Sequence, residues 1–146
     1  MPEAFESVYQ VLGRDFANAG KVSTSIKDTL KRLGVSPAVV RRVAIMSYEA
    51  EMNLVMYALR GQISLSVSQE AVTLSVDDDG PGIPDISLAM QEGYSTATPE
   101  MREMGFGAGM GLPNIRRNAD EFDIRSEVGR GTNLFVRVAQ DVQGSA

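Results

Sequence analysis

The chain has 146 residues, 43% of them hydrophobic, and a formal net charge of −5. This length and apolar content predict a single domain over residues 1–146 with a sizeable core, and the negative charge argues against a nucleic-acid partner. The sequence has no cysteine and no histidine, which excludes thiolate and imidazole chemistry. No segment resembles a signal peptide or the ~20 apolar residues of a membrane span, so we expect no membrane partner and a cytoplasmic protein.

Hydrophobic periodicity divides the first half of the chain into five elements. Ser36 followed by Pro37 predicts a helix start, and Gly34 predicts the end of the preceding helix. The second helix is the most apolar segment of the chain, as expected for a helix packed between other elements. In chain order the predicted elements are a strand at 5–12, an amphipathic helix at 15–33, a helix from 36 to about 60, and the two strands of a hairpin at 63–68 and 72–77.

The second half begins with a segment from Ile83 to Met104 in which the periodicity disappears and which we predict to be mainly loop. A helix and a second hairpin follow it. The predicted fold is an α+β two-layer sandwich, with about three helices on one face of a mixed, mostly antiparallel sheet of four or five strands. The predicted elements of this half are short helices at 86–90 and 99–104, a helix at 110–118, strands at 122–126 and 132–138, and a frayed tail at 144–146.

Two polar residues on the apolar second helix are candidates for chemistry. Glu49 and Asn53 are four residues apart, so they lie one turn apart on the same face. A carboxylate beside an amide oxygen can hold Mg²⁺ and can activate a hydroxyl as a general base. Ser47 and Glu51 fall on the opposite side and are expected to face solvent. The alternative is that Glu49 and Asn53 are themselves solvated on an exposed stripe.

Two glycine clusters indicate a nucleotide site. The first, Asp78-Asp79-Gly80-Pro81-Gly82, ends a strand, and the second runs from Gly105 to Gly111 before a helix. Glycine lets a polyphosphate approach backbone N–H groups, and the helix N-terminus adds its positive dipole end. The three acids at 77–79 repel one another unless one has a donor partner, such as an adenine amino group. A tight turn and a flexible connector are the alternatives for the two clusters.

Other nucleotide motifs do not fit the chain. The P-loop requires Gly-Lys followed by Ser or Thr, whereas Gly20-Lys21 is followed by Val22. Neither glycine cluster has the spacing or position of the dinucleotide fingerprint. A eukaryotic-type kinase requires a histidine in its catalytic loop.

The complete ordered set resembles the ATP-binding superfamily (Bergerat fold) of gyrase B, the heat-shock chaperone ATPases and the catalytic domains of histidine kinases. The set is Glu49-x-x-x-Asn53, Asp78-x-Gly80-x-Gly82, Gly107-x-Gly109-x-Gly111 and Gly131-Thr132. Within that superfamily the chain is similar, over about 15–138, to the small stand-alone serine kinases of bacterial partner switching, which include anti-sigma factors and a stress switch kinase. Tyr57 stands where anti-sigma members often carry histidine.

The resemblance implies roles for individual residues. Glu49 would be the base for a serine hydroxyl, Asn53 would hold Mg²⁺, and Asp78 would bind the adenine amino group. A lid at about 84–105 would close over ATP. The other implied ATP-binding residues are Gly80, Gly82, Gly107, Gly109, Gly111, Thr132 and, for the γ-phosphate, Arg102.

The sequence therefore predicts an ATP- and Mg²⁺-dependent serine/threonine protein kinase. By resemblance it would phosphorylate a small antagonist protein, bind a second regulatory protein, and possess a sheet edge suited to forming a homodimer. Two alternatives stay open: an ATP-binding regulatory module without essential kinase activity, and a detached histidine-kinase catalytic domain acting on a separate acceptor. Autophosphorylation on histidine is excluded by composition.

Overall fold

The computed structural model of the protein describes residues 5–83, 85–91 and 111–140. Five strands and four helices occur in this part of the chain, in addition to a single 3₁₀ turn at Phe16–Asn18. The strands are β1 (Phe5–Leu12), β2 (Arg60–Val67), β3 (Ala71–Asp78), β4 (Glu121–Glu127) and β5 (Gly131–Ala139). The helices are α1 (Lys21–Arg32), α2 (Pro37–Tyr57), α3 (Ile86–Ala89) and α4 (Gly111–Asn118).

The strands form one sheet in the order β1-β2-β3-β5-β4, and each of its pairings is antiparallel. Alternate side chains of β2, β3 and β5 are buried, and those between them are partly exposed. One face of the sheet therefore carries the core, and the other carries short polar side chains such as Ser64, Ser66 and Ser75. The predicted α+β class is confirmed.

Helix α2 is the central element of the helical layer. Pro37 is its first residue, and the Ser36 hydroxyl accepts a hydrogen bond of 3.4 Å from the Val39 N–H, as predicted for this cap. The helix ends at Tyr57, earlier than the predicted residue 60, because Arg60 already belongs to β2 and pairs with β1. It contacts α1 on one side, α4 on the other, and strands β1, β2, β3 and β5 beneath.

Helix α1 begins at Lys21, whereas the periodicity predicted a start near residue 15. The difference has a backbone cause: Gly20, the residue before α1, has φ +97°, a left-handed conformation that the helix cannot include. Of the apolar residues predicted to line α1, Ile26 and Leu30 are fully buried against α2 and the sheet core, whereas Leu33, just after the helix, is 45% exposed.

The helices that the structure describes include none with the length and apolar composition of a membrane span.

Candidate functional site

Glu49 and Asn53 both face helix α4. The Asn114 side-chain amide donates a hydrogen bond of 2.9 Å to the Oε2 atom of Glu49. One turn further along α2, the Asn53 amide lies against Gly111, the first residue of α4: a Cβ on Gly111 would be 3.2 Å from the Asn53 Oδ1 atom. Neither side chain is fully exposed. The two predicted site residues therefore lie together, at the end of α4 that follows the second glycine cluster.

The absence of a side chain at Gly111 is what permits this close approach. A contact of 3.2 Å is tighter than ordinary van der Waals distance, so a larger residue would force the Asn53 side chain to shift by a few tenths of an ångström. Within the described ranges, no residue forms a hydrogen bond with the Asn53 side chain. Its amide oxygen is consequently available as an acceptor or as a metal ligand beside the N–H groups of a helix N-terminus.

Asp78 is held at the end of β3 by two backbone donors. Its Oδ1 atom accepts hydrogen bonds from the N–H of Gly80 (2.8 Å) and the N–H of Thr132 (3.2 Å). Burial raises the pKa of this carboxyl group above its ordinary value, and the two hydrogen bonds oppose that rise. No described residue donates to Oδ2, which leaves one half-buried carboxylate oxygen for an external N–H donor.

The neighbouring acids do not compete with Asp78 for that role. Asp79 accepts hydrogen bonds from the Arg60 N–H (2.8 Å) and the Arg60 Nε (3.3 Å), and the backbone bond is the main cause of the lowered pKa of Asp79. Asp77 accepts a hydrogen bond from the Asn133 side chain. Each flanking carboxylate has its own partner on the exposed side, and the charges of both still help to raise the pKa of Asp78.

Gly82 and Gly131 are required by the packing of the chain on itself. A Cβ at Gly82, where φ is +79°, would be 2.4 Å from the Glu127 carbonyl oxygen. A Cβ at Gly131, where φ is +137°, would be 1.9 Å from the carbonyl oxygen of Asp78. Gly80 is similarly close, at 3.1 Å, to the Asp78 carboxylate. These glycines bring the loop after β3 against the β4–β5 turn and thereby orient Asp78.

Thr132 lies beside Asp78, and its hydroxyl pairs with that of Ser126, a contact that the sequence does not predict. The hydroxyls of Thr132 and Ser126 are 2.8 Å apart, and the Ser126 hydroxyl accepts a hydrogen bond of 2.7 Å from the Ile83 N–H. Ser126 thus fastens the loop after Gly82 to β4. Ser126 is one of several polar residues that alternate along β4, so the sequence alone does not indicate this contact.

The expectation that Ser47 and Glu51 face solvent is wrong. Ser47 is fully buried, and Glu51 is only 2% exposed. The Glu51 carboxylate accepts hydrogen bonds from three N–H groups at the start of α1, namely Gly20 (3.0 Å), Val22 (3.2 Å) and Ser23 (2.8 Å). Glu49 and Glu51 do lie on opposite sides of α2, as helical geometry predicted. The side that carries Glu51 is covered by α1, although it was expected to face solvent.

Several predicted positions lie outside the described residues: Gly107, Gly109, Arg102, the helix at 99–104 and most of the lid at 84–105. Of that lid, residues 85–91 are described and contain α3, where the Asp85 side chain accepts a hydrogen bond of 3.0 Å from the Leu88 N–H. Among the described residues there is no group of three acids that could hold a metal. A cation at Asn53 would need most of its ligands from a bound molecule.

The fold and the site together define a class of protein. Residues 38–142 match the family described as histidine kinase-, DNA gyrase B-, and HSP90-like ATPase. This match covers more than half of the chain, and the chain therefore belongs to that family of ATPases. The resemblance inferred from the four ordered motifs is confirmed.

Individual relatives are bacterial proteins named as a serine/threonine-protein kinase and as anti-sigma F factors. The chain is 32% identical over 112 residues to the serine/threonine-protein kinase RsbT of Bacillus subtilis (strain 168), which covers 74% of this chain and 78% of the relative. It is 33% identical over 101 residues to the anti-sigma F factor of Thermoanaerobacter sp. (strain X514), covering 69% of this chain and 62% of that protein. For the anti-sigma F factor of Geobacillus stearothermophilus the identity is 36% over 77 residues, covering 53% and 49%.

Proposed function

We propose that this chain is an ATP-dependent serine/threonine protein kinase of a bacterial partner-switching pathway. The observation that carries the proposal is the placement of the Glu49 carboxylate one turn from the Asn53 amide, with both facing the N-terminus of α4. Membership of the ATPase family and similarity to a serine/threonine-protein kinase and to anti-sigma F factors support it.

In this proposal the adenine amino group donates a hydrogen bond to Oδ2 of Asp78, the oxygen not engaged by the protein. Thr132 and Gly80 orient that carboxylate through their N–H groups, and Gly82 holds the loop in place. The glycines at 107, 109 and 111 bracket the phosphates, and Arg102 pairs with the γ-phosphate. A lid at about 84–105 closes over the nucleotide and excludes water.

The Asn53 amide oxygen fits a Mg²⁺ ion, because it is a hard oxygen donor without a protein partner in the described structure. When bound, the ion would offset the charge of the phosphates. The family itself implies ATP, and we add Mg²⁺ to the proposal on the basis of this donor.

Glu49 then acts as the general base. The hydrogen bond from Asn114 occupies Oε2 and leaves Oε1 for the substrate hydroxyl. The serine Oγ–H proton moves to Glu49 as Oγ forms a bond to the γ-phosphorus, and the bond between that phosphorus and the bridging oxygen of ADP breaks. ADP leaves with the bridging electron pair, and Glu49 later returns its proton to solvent.

The partners in this proposal are a small antagonist protein, which is phosphorylated, and a second regulatory protein, which is bound when unphosphorylated antagonist is scarce. The exchange takes place in the cytoplasm, and β1, an edge strand of the sheet, is the proposed contact of a homodimer. Tyr57, at the C-terminal end of α2, distinguishes the chain from anti-sigma members that carry histidine there.

The test begins with the proteins that co-purify with the full chain in ADP and in ATP. Each captured protein is incubated with the chain and γ-labelled ATP, and the labelled product is treated with acid. The proposal expects acid-stable phosphate on serine or threonine, lost in Glu49→Gln and retained in Glu70→Gln, a matched substitution of an exposed acid. Acid-labile phosphate would instead select the histidine-kinase alternative, and full activity of Glu49→Gln would overturn the role of Glu49.

A further inference from the structure

A groove runs between α1 and α2 on the solvent-exposed side of the helical layer. Its volume is about 570 Å³, and it is separate from Asp78 and from the contact between α2 and α4. The floor is apolar and is formed by Val35, Val40, Ala44 and Ile45. Val35 and Val40 are buried, whereas Ala44 and Ile45 retain partial exposure. The apolar surface continues along α2 to Tyr48, which is 46% exposed and one turn beyond Ala44.

Three cations surround this floor. Lys27 and Lys31 lie one turn apart on α1, and Arg41 lies on α2. All three are exposed, and none forms an ion pair with any residue that the structure describes. Two lysines at this helical spacing repel each other. The groove therefore concentrates positive charge that the described protein does not neutralise.

The positive charge is concentrated in residues 21–45, which include α1 and the first part of α2. Residues 21–45 contain six basic side chains and one acid, Asp28, in a chain that has 14 basic and 19 acidic residues in total. The remainder of the protein is thus strongly acidic. A basic segment on an acidic protein produces a field that steers negatively charged partners to one surface and repels them from the others.

We infer that the groove is the docking site for an acidic, amphipathic helical segment of a protein partner. Apolar side chains of such a helix would fill the floor, and its flanking carboxylates would meet Lys27, Lys31 and Arg41. A nucleic acid would use the cations but would have no use for the apolar floor, because its backbone is bound through phosphates. The combination of an apolar floor with the surrounding cations therefore favours a protein helix as the occupant of the groove.

The position of the groove deepens the proposed function, on which this step rests. Ile45 precedes Glu49 by one turn of α2, a rise of about 6 Å. A partner held in the groove would have its neighbouring surface beside the general base. The groove accordingly selects the protein substrate by its charge and presents its serine to Glu49.

The experiment uses the full chain without nucleotide and a fluorescent peptide about five helical turns long, with leucines on one face and glutamates beside them. Its anisotropy is followed at about 0.15 M salt, where distant surface charges are screened. The double variant Lys27→Glu/Arg41→Glu should bind at least about tenfold more weakly. The matched control is Arg125→Glu/Arg130→Glu, which makes the same change in net charge at two exposed residues of β4 and its turn and should bind normally.

Two further probes test the shape requirement. A peptide of the same composition with its leucines scattered around the helix should bind at least tenfold more weakly, and so should the chain variant Ala44→Gln, which fills the floor without adding charge. The inference would be overturned if the peptide with scattered leucines bound as tightly as the amphipathic one, or if Ala44→Gln or Lys27→Glu/Arg41→Glu left peptide binding unchanged.

Competing occupants give distinct results. Preferential binding of a single-stranded oligonucleotide would show that the groove binds nucleic acid and not a protein helix. Preferential binding of phosphatidylserine vesicles would show that it binds a membrane surface. Dissociation of a dimer by the peptide in sedimentation experiments would assign the groove to a second copy of the chain. Phosphoryl transfer from γ-labelled ATP is measured separately, so a failure of the kinase proposal is distinguishable from a failure of the groove.

Discussion

The side chains of Glu49 and Asn114 are joined by a hydrogen bond of 2.9 Å between the Asn114 amide nitrogen and the Glu49 carboxylate. This bond connects the proposed base on α2 to the helix that follows the second glycine cluster. Asn114 is further engaged by Arg117, whose Nη1 donates to its Oδ1 at 3.3 Å. Asn114 is therefore a positioning residue: it fixes one carboxylate oxygen and leaves the other for a hydroxyl group.

Asn114→Asp should alter the pH dependence of phosphoryl transfer. Two carboxyl groups would then face each other at hydrogen-bond distance, and the pair would retain one proton to higher pH. We expect the activity near pH 7 to fall by about tenfold or more and to recover in part as the pH rises. Asn114→Ala should lower kcat without this shift, and ATP affinity should change little in both variants. Identical pH profiles for the two variants would contradict the positioning role.

Asp78→Asn separates nucleotide binding from folding. The variant keeps an oxygen that can accept from Gly80 and Thr132, but it presents an amide N–H where the adenine amino group would donate. Loss of that charged hydrogen bond should weaken ATP binding by about 2 kcal/mol or more, roughly thirtyfold. Calorimetry measures this change, and wild-type affinity in the variant would exclude Asp78 as the adenine contact.

The raised pKa of Asp78 also predicts the direction of a stability change. Because the folded-state pKa lies above the unfolded value of 3.8, the stability contributed by this group is fully present below pH 3.8 and is lost as the pH rises through the folded-state pKa. At pH 7 the ionised, half-buried carboxylate opposes folding. Asp78→Asn should therefore melt at the same temperature as the wild type or higher at pH 7, with a smaller difference near pH 4. A large loss of stability at pH 7 would contradict this sign.

Much of this architecture was predictable because it depends on local patterns. Period-two alternation located the hairpin strands, the Ser36-Pro37 pair located the start of α2, and the spacing of Glu49 and Asn53 placed both on one face. What the sequence could not supply depends on contacts between distant segments. The burial of Glu51 is set by where α1 packs, and the role of Asn114 depends on the placement of α4 beside α2.

Glu51 should contribute to the stability of the fold and not to catalysis, in contrast to Glu49 half a turn away. Its carboxylate satisfies three N–H groups at the start of α1 in a buried site. Glu51→Leu would leave these donors without an acceptor and should cost about 2–4 kcal/mol of unfolding free energy. Glu49→Gln, which is isosteric and partly exposed, should leave stability within about 0.5 kcal/mol of the wild type. Urea unfolding measures both, and equal effects of the two substitutions would refute the distinction.

Gly131 and Gly129 provide a matched pair in the β4–β5 turn. Both have positive φ, +137° and +85°, so alanine at either position introduces backbone strain. At Gly129 nothing lies within 4 Å of the added Cβ, and we expect Gly129→Ala to cost about 1 kcal/mol. At Gly131 the added Cβ would collide with the carbonyl oxygen of Asp78 and displace the strand end that carries the proposed adenine ligand. Gly131→Ala should cost about 3 kcal/mol or more and also weaken ATP binding. If calorimetry and urea unfolding showed the two variants to be equivalent, the packing of Gly131 on Asp78 would not be what orients that carboxylate.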